Sequence, residues 1–375
     1  MGVPRIPYTL PFPPPKIRPS NAITLSAATA AIADFLQSRN TVLLTGAGIS
    51  VESGLADYRG EKGTYRLNQK YRPIFFDEFV GNHESRKRYW ARSFIGWPLM
   101  AKVQPNRTHE AVSQLWGLGL VSHVITQNVD SLHHICHPTL PTTELHGTLR
   151  DLICLTCRTP YPRTKFQQTL ACLNPKWADF LKTISEAGAS DNNNSLEKNI
   201  KRNPDGDVDL PGAPYTKFRY PPCPKCLEER PRGSILVDAD GAHVPNRGGP
   251  TQAILKPGVI FFGESISSAA KEKAEAAVKS ADGILVLGSS LATYSAWRLV
   301  RTAHQRGIGI GIVNLGGVRG EDVFFADGAQ GTRVRIEFPV SDVLGGVVQE
   351  LSGGFGDWDM VAKAAGSASS LGRYP

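Results

Sequence analysis

No apolar run in this 375-residue chain approaches the roughly 18 residues that a membrane-spanning helix requires, so no membrane partner is expected. Cysteine is scarce: six residues cannot staple a chain of this length, which excludes a disulfide scaffold. Four of the six form two Cys-x-x-Cys pairs, the usage of reduced thiolates around a metal, and a reducing intracellular compartment follows. Blocks of like charge are also missing. The excess of 42 basic over 34 acidic residues, +8 in all, is scattered along the chain, so no direct nucleic-acid binding is expected. Acids are absent before Asp34, while Arg5, Lys16 and Arg18 are present, as in an organelle transit peptide. The prolines at positions 4, 7, 11, 13, 14, 15 and 19 work against the amphipathic helix such leaders form, and a flexible Pro-rich lead over 1–20 stays open beside it. Ile6 stands where a myristoylation signal needs Ser or Thr, so Gly2 gives no lipid anchor.

What is present is ordinary globular composition, 41% hydrophobic and 20% charged, enough for a large core and a smaller appended unit. Leu25, Ala28, Ile32, Phe35 and Leu36 recur at helical spacing, and the apolar run Thr41–Leu44 then ends in Thr45-Gly46-Ala47-Gly48. Three further runs repeat the pattern. Val121–Thr126 stops at Gln127-Asn128, Ile284–Leu287 at Gly288-Ser289-Ser290, and Ile308–Val313 at Asn314, with helix-like segments such as 269–278 and 297–305 beside them. Short apolar runs alternating with helices predict an α/β fold, a Rossmann-like parallel sheet with helices on both faces. In such sheets ligands bind at the carboxyl ends of the strands, where these polar endings lie. This catalytic domain is expected over 21–150 and 250–351, with a helical insertion at about 61–105. Residues 151–249 hold both Cys pairs and little periodicity, which suggests a small separate module with a disordered insertion near 185–210. The tail 352–375, rich in Gly, Ala and Ser, is expected to be flexible.

Glycines in Thr45-Gly46-Ala47-Gly48-Ile49-Ser50, after a strand, let backbone N–H groups approach a pyrophosphate. Val51 replaces the third glycine of the G-x-G-x-x-G pattern, so the turn alone is a weak signal. The continuation through Asp57-Tyr58-Arg59 is dense in polar and aromatic side chains and suggests a loop covering a ligand. Together with Thr126-Gln127-Asn128-Val129-Asp130, Glu144-Leu145-His146-Gly147, Lys256 to Glu264, Gly288-Ser289-Ser290 and Asn314, these segments resemble the successive signatures of the sirtuins, in the family's order over about 25–350. Arg88 to Arg92 with Gly96-Trp97-Pro98, Leu173 to Trp177, and Pro204 to Val208 are similar to the class II, sirtuin-4 type.

The resemblance implies an NAD-dependent protein lysine deacylase that transfers the acyl group to ADP-ribose, releases nicotinamide and acts on acyl-lysine proteins or peptides. Such chemistry needs a dry nicotinamide pocket, polar groups that fix the ribose and one base. By resemblance the base is His146, with Asn128 orienting the ribose or a water, and Asp130 and Ile49 holding the carboxamide. Gly46, Ala47, Gly48, Ser50, Asp57, Tyr58, Arg59, Gln127, Gly288, Ser289, Ser290, Asn314 and Gly316 fall among its cofactor contacts. Val340 stands on the adenine side, where the family's usual Cys is missing. Val259, Ile260, Phe261, Gly263 and Glu264 are expected to pair with substrate as an added strand, Ile260 and Phe261 lining the acyl-lysine tunnel. Tyr89 and Arg92 share one helix face, where a phenol and a guanidinium suit acyl groups longer or more acidic than acetyl. Ala56 replaces the family's Pro before Asp57, which makes a more mobile cofactor loop the expectation. Mitochondrial (matrix) residence is implied, with nucleus and cytoplasm as alternatives.

Cys154-x-x-Cys157 and Cys223-x-x-Cys226 supply two knuckles for a closed tetrahedral zinc site. The gap of ~65 residues exceeds that of a compact ribbon, so the family position carries much of the assignment. Four sulfurs leave no open position, which makes the zinc structural. Cys136 and Cys172 are expected as buried free thiols. Rival readings are a protein mono-ADP-ribosyltransferase and a catalytically silent NAD-binding regulator. A zinc-ribbon nucleic-acid binder would leave every strand-end motif unexplained.

Overall fold

The computed structural model describes residues 12–37, 40–68, 71–189, 201–210, 212–231, 233–245 and 253–352. Its centre is a six-stranded, wholly parallel sheet in the order β11-β10-β9-β1-β2-β3. The strands are β1 Thr41–Thr45, β2 Val121–Thr126, β3 Thr142–Glu144, β9 Gly283–Leu287, β10 Gly309–Val313 and β11 Arg333–Ile336. Every residue of β1, β9, β10 and β11 is buried. For β1, β9 and β10 this needs apolar side chains on both faces, which is why they read as continuous runs rather than alternating ones. One face is covered by the helices Leu25–Gln37, Arg107–Gly117 and Val340–Leu351, the other by Ser268–Ser280 and Tyr294–Gln305. Asn106 and Ser267 start two of these helices by accepting backbone N–H bonds on their side-chain oxygens, at 2.9 and 3.2 Å. Among the described residues no helix is long and apolar enough to cross a membrane.

Two strands of this sheet were not legible in the sequence. β3 is a three-residue edge strand, and β11 carries Arg333 and Arg335 inside the core. Arg335 is fully buried because its Nε donates to Glu321 at 2.7 Å and its other nitrogens donate to the carbonyls of Asn314, Ile336 and Gly316. A buried charge is tolerated when paired and fully hydrogen-bonded, and that pairing hides the strand from a search for apolar runs.

A second, antiparallel sheet is formed by β4 Gly147–Cys154, β5 Pro160–Pro162 and β8 Leu255–Val259. β4 begins one residue after His146 and ends on the first metal-ligand candidate, so it crosses the domain boundary drawn at 150/151 from the sequence. The four-cysteine region is also less separate than expected. The helix His83–Lys102 contributes Trp90 and Phe94 to one apolar cluster with Phe166, Phe218, Cys223 and Cys226, so the helical insertion and the cysteine region share a core.

The insertion expected to be disordered divides. Residues 190–200 lie outside the described residues, whereas Pro175–Ala189 is a helix, and β6 Lys201–Arg202 pairs with β7 Val208–Asp209 across a tight turn. That turn packs against the helix His83–Lys102 so closely that a Cβ on Gly96 would meet the Gly206 carbonyl at 2.1 Å. The Pro-rich lead divides too: residues 1–11 lie outside the described residues, as does the tail 353–375, with the expectations placed on them, while Arg18 bridges the lead to Arg335 at the edge of the sheet. Cys136 is half-buried and Cys172 is exposed, a correction to the expectation of two buried thiols.

Candidate active site

The polar strand endings meet over a cavity of about 1660 Å³ at the carboxyl edge of the parallel sheet. Its glycine turn opens a 3-10 helix, Ala47–Ser53, rather than an α-helix. Gly46 and Gly48 are required by packing: a Cβ on Gly46 would meet the Gly288 carbonyl at 2.7 Å, and one on Gly48 would meet Gly288 Cα at 2.8 Å. Two chain reversals, after β1 and after β9, thus touch backbone to backbone, joined by Gly48 N–H donating to Gly288 O at 2.9 Å.

His146 stands at the turn from β3 to β4. Its Nδ1 lies 3.0 Å from the Gln127 carbonyl, which can only accept, so Nδ1 carries the proton and Nε2 presents its lone pair. Ser295 Oγ, 2.8 Å from Nε2, is then the donor. Burial lowers the imidazole pKa to about 4, against the opposing pull of the Gln127 carbonyl, so the ring is neutral at pH 7. A neutral imidazole lining a cavity, its lone pair held by a hydroxyl that lines the same cavity, is placed to act as a general base.

Next to it, Asn128 Nδ2 donates to the Gly46 carbonyl and to Ser50 Oγ, each at 3.1 Å, and Ser50 Oγ donates to Asp130 Oδ2 at 2.8 Å. Asp130 Oδ1 accepts from Leu132 N–H at 3.0 Å, so one carboxylate both caps a helix and faces the glycine turn. Burial raises its pKa, opposed by the Leu132 N–H and the Ser50 hydroxyl. Gln127 donates to Ser289 Oγ at 2.7 Å and accepts from Thr293 at 3.1 Å, which ties the ends of β2 and β9 together. The loop after Gly54 is held by Asp57, whose carboxylate accepts from Gly60 N–H at 3.0 Å. Its Arg59 lies over the Tyr65 ring, 5.0 Å from the centroid, with a pKa lowered by burial.

Every residue assigned from the sequence to the base, the cofactor and the substrate lines this cavity except Arg92. Tyr89 reaches it beside Phe261, with Phe79 packed behind both rings. Arg92 instead pairs with Asp207 at 2.9 Å and donates to the Val208 carbonyl at 3.1 Å. The expected convergence of Tyr89 and Arg92 on an incoming anion is therefore not found: the chain supplies the anion itself. The added-strand expectation is narrowed as well. In 259–264, the N–H groups of Ile260, Phe261 and Glu264 and the carbonyl of Phe262 already bond within the chain, to His146, Glu264, Phe261 and Phe76. Glu264 is a brace for this segment, taking Lys256 at 3.1 Å. Ser295, Phe12 and Asp205, the last from the segment Pro204 to Val208, line the cavity without having been assigned to the site. Ser295 had a sequence signal, a hydroxyl at the start of the helix that follows a polar strand ending.

The four thiols of Cys154, Cys157, Cys223 and Cys226 converge, with Sγ–Sγ distances of 3.7 Å for Cys154–Cys226 and 3.8 Å for Cys157–Cys223 and all four within 4.8 Å. A tetrahedron with Zn–S bonds of about 2.3 Å has edges of about 3.8 Å, so the donor set and its spacing fit zinc. Thr156 N–H donates to Cys154 Sγ at 3.4 Å, supporting a thiolate there.

Comparison with known proteins agrees with this geometry. The Sir2 family model matches residues 46–295. The NAD-dependent protein deacylase SIR4 of Batrachochytrium dendrobatidis is 38% identical over 86% of this chain and 93% of its own length. The deacylase SRT2 of Arabidopsis thaliana is 37% identical over 77% of this chain and 69% of its own. A solved Sir2 enzyme structure superposes with a TM-score of 0.55 at 27% identity, covering 87% of this chain and 98% of that one. With the glycine turn, the neutral imidazole and the four thiols in these positions, the chain belongs to the Sir2 family.

Proposed function

We propose that the protein is an NAD-dependent protein lysine deacylase: acyl-lysine, NAD and water give lysine, nicotinamide and acylated ADP-ribose. One observation carries the reading, the neutral His146 imidazole whose Nε2 faces the cavity lined by the glycine turn, Asn128 and Asp130. As the bond between nicotinamide and ribose breaks, its electron pair leaves with nicotinamide and the acyl oxygen closes on the sugar carbon. His146 Nε2 then takes the proton of a ribose hydroxyl, while the Gln127 carbonyl on Nδ1–H stabilises the imidazolium that forms. Asp130 and Asn128, held by Ser50, fix the nicotinamide end, and Gly46 to Ser50 offer backbone N–H groups to the phosphates. The test is nicotinamide release with and without an acyl-lysine peptide. Release that depends on the peptide, together with deacylation that depends on His146, supports the reading, and release with no need of an acyl group overturns it.

For acyl choice, the chain points to long neutral groups. Tyr89, Ile74 and Phe261 give the cavity an apolar wall, while Arg92 is engaged by Asp207 and Asp205 adds a carboxylate to the lining. A terminal carboxylate would find no free cation in Arg92, which Asp207 already engages. Turnover on lipoyl-type peptides above that on acetyl and glutaryl peptides is expected; glutaryl as the best substrate would overturn it. Mitochondrial residence is proposed from the acid-free, basic lead, and a fluorescent fusion excluded from mitochondria would refute it.

A further inference from the structure

The Pro-rich segment around residues 12–18 does not hang from the fold. It crosses the carboxyl end of β10, and the fit at Gly317 is so close that a Cβ there would lie 1.8 Å from the Pro13 carbonyl and 3.0 Å from Phe12 Cβ. Downstream it is pinned at successive points. Lys16 donates its backbone N–H to Glu321 at 3.0 Å and its ammonium pairs with Asp322 at 3.0 Å. Arg18 exchanges main-chain hydrogen bonds with Arg335 of β11 at 3.1 and 2.7 Å, and its guanidinium reaches Asp327 at 2.6 Å. These anchors leave Phe12, Pro14 and Pro15 lining the cavity, which also takes in Gly316, Glu337 and Val340 after β10 and β11.

Consecutive prolines are stiff and carry no backbone donors, so this stretch offers flat apolar faces with little conformational freedom to lose. An aromatic ring beside prolines is a surface for another flat ring. The remaining lining supplies what the edge and sugar of a purine nucleoside require: a carboxylate from Glu337, which accepts Gly316 N–H at 3.0 Å, and the amide of Asn314.

We propose that residues 12–18 are an integral part of the dinucleotide site, with Phe12 forming the wall against which the adenine ring of NAD lies. The proposal rests on the reading of the cavity as an NAD site. It places an adenine contact in a segment remote in sequence from every strand-end motif, and it makes Gly317 a positioning residue whose missing side chain lets the strap close.

The experiment is calorimetric titration of the full chain with ADP-ribose and with nicotinamide mononucleotide, which lacks adenine. Phe12→Ala is expected to weaken ADP-ribose binding about tenfold, the loss of one base–aromatic stack, and to leave nicotinamide mononucleotide unchanged. Phe12→Trp is expected to retain affinity. Gly317→Ala, which displaces the strap while leaving the Phe12 ring chemically intact, is expected to reproduce the loss. Unchanged ADP-ribose affinity in Phe12→Ala and Gly317→Ala, or an equal loss for both ligands, overturns the proposal. Failure of the unaltered chain to bind ADP-ribose would instead sink the NAD reading itself.

Discussion

Two hydrogen bonds decide what His146 can do. The Gln127 carbonyl fixes the tautomer and the Ser295 hydroxyl fixes the ring plane, so the lone pair on Nε2 is aimed before any ligand arrives. Replacing His146 with Ala is expected to lower deacylation by about 10²–10⁴-fold, the usual worth of a positioned base, with peptide-dependent nicotinamide release read separately to show that the earlier step survives. Ser295→Ala should lower kcat by a smaller factor and leave the KM for NAD in place. It also removes a donor that favours the neutral ring, so the acid limb of the pH–rate profile should move upward from about 4. Ser295→Thr, which keeps the hydroxyl, should restore the profile. A Ser295→Ala enzyme with an unmoved acid limb would mean that the hydroxyl merely fills space. The base was legible in the sequence because His146 stands among neighbours that match a family pattern. Ser295 carried only the signal of a hydroxyl at a helix start, and its role exists through a contact 149 residues away in the chain.

At the scale of elements, β4 couples the metal candidates to the site. Its cysteine end belongs to the core shared with the helix His83–Lys102, and that helix presents Tyr89 to the cavity. Removing zinc from the full chain with a chelator is therefore expected to lower the melting temperature and deacylation together, with about one equivalent of metal released, although no thiol lines the cavity. Retained activity in a metal-free, folded chain would break that coupling. Cys226→Ser is expected to behave in the same direction. The elements legible from the sequence were those whose burial on both sides demands apolar runs. β11 escaped because Arg335 is paired with Glu321 inside the core while Arg333 donates to main-chain carbonyls there, and the turn after β6 escaped because its burial depends on Gly96, Arg92 and Tyr71 elsewhere in the chain.

The whole molecule carries an acid liability outside the site. His109, His133 and His137 lie buried in a row behind Thr45, with His133 Nδ1 2.9 Å from His137 Nε2 and its Nε2 3.0 Å from Thr45 Oγ1. Burial lowers the pKa of His109 to about 3 and of His137 to about 4, and holds His133 well below its ordinary value. The unfolded chain takes up these protons near pH 6.5 and the folded one only below about 4, so the unfolded state binds more protons in between. Stability is then complete above about pH 6.5 and falls as the pH drops toward 4, by up to about 1.4 kcal/mol per unit for each such group. Melting temperatures recorded from pH 7.5 to 5 should decline, and His137→Gln should flatten the decline; a flat profile for the unaltered chain would exclude this origin. The contact of Gly46 and Gly48 with Gly288 has a different kind of consequence. Where two main chains meet with nothing between them, there is no small edit to make: the smallest addition, one methyl, already forces the seam apart. Descendants of this sequence that adjust their grip on the dinucleotide must do so at the rim, where side chains can be exchanged one at a time, and leave the seam as it is.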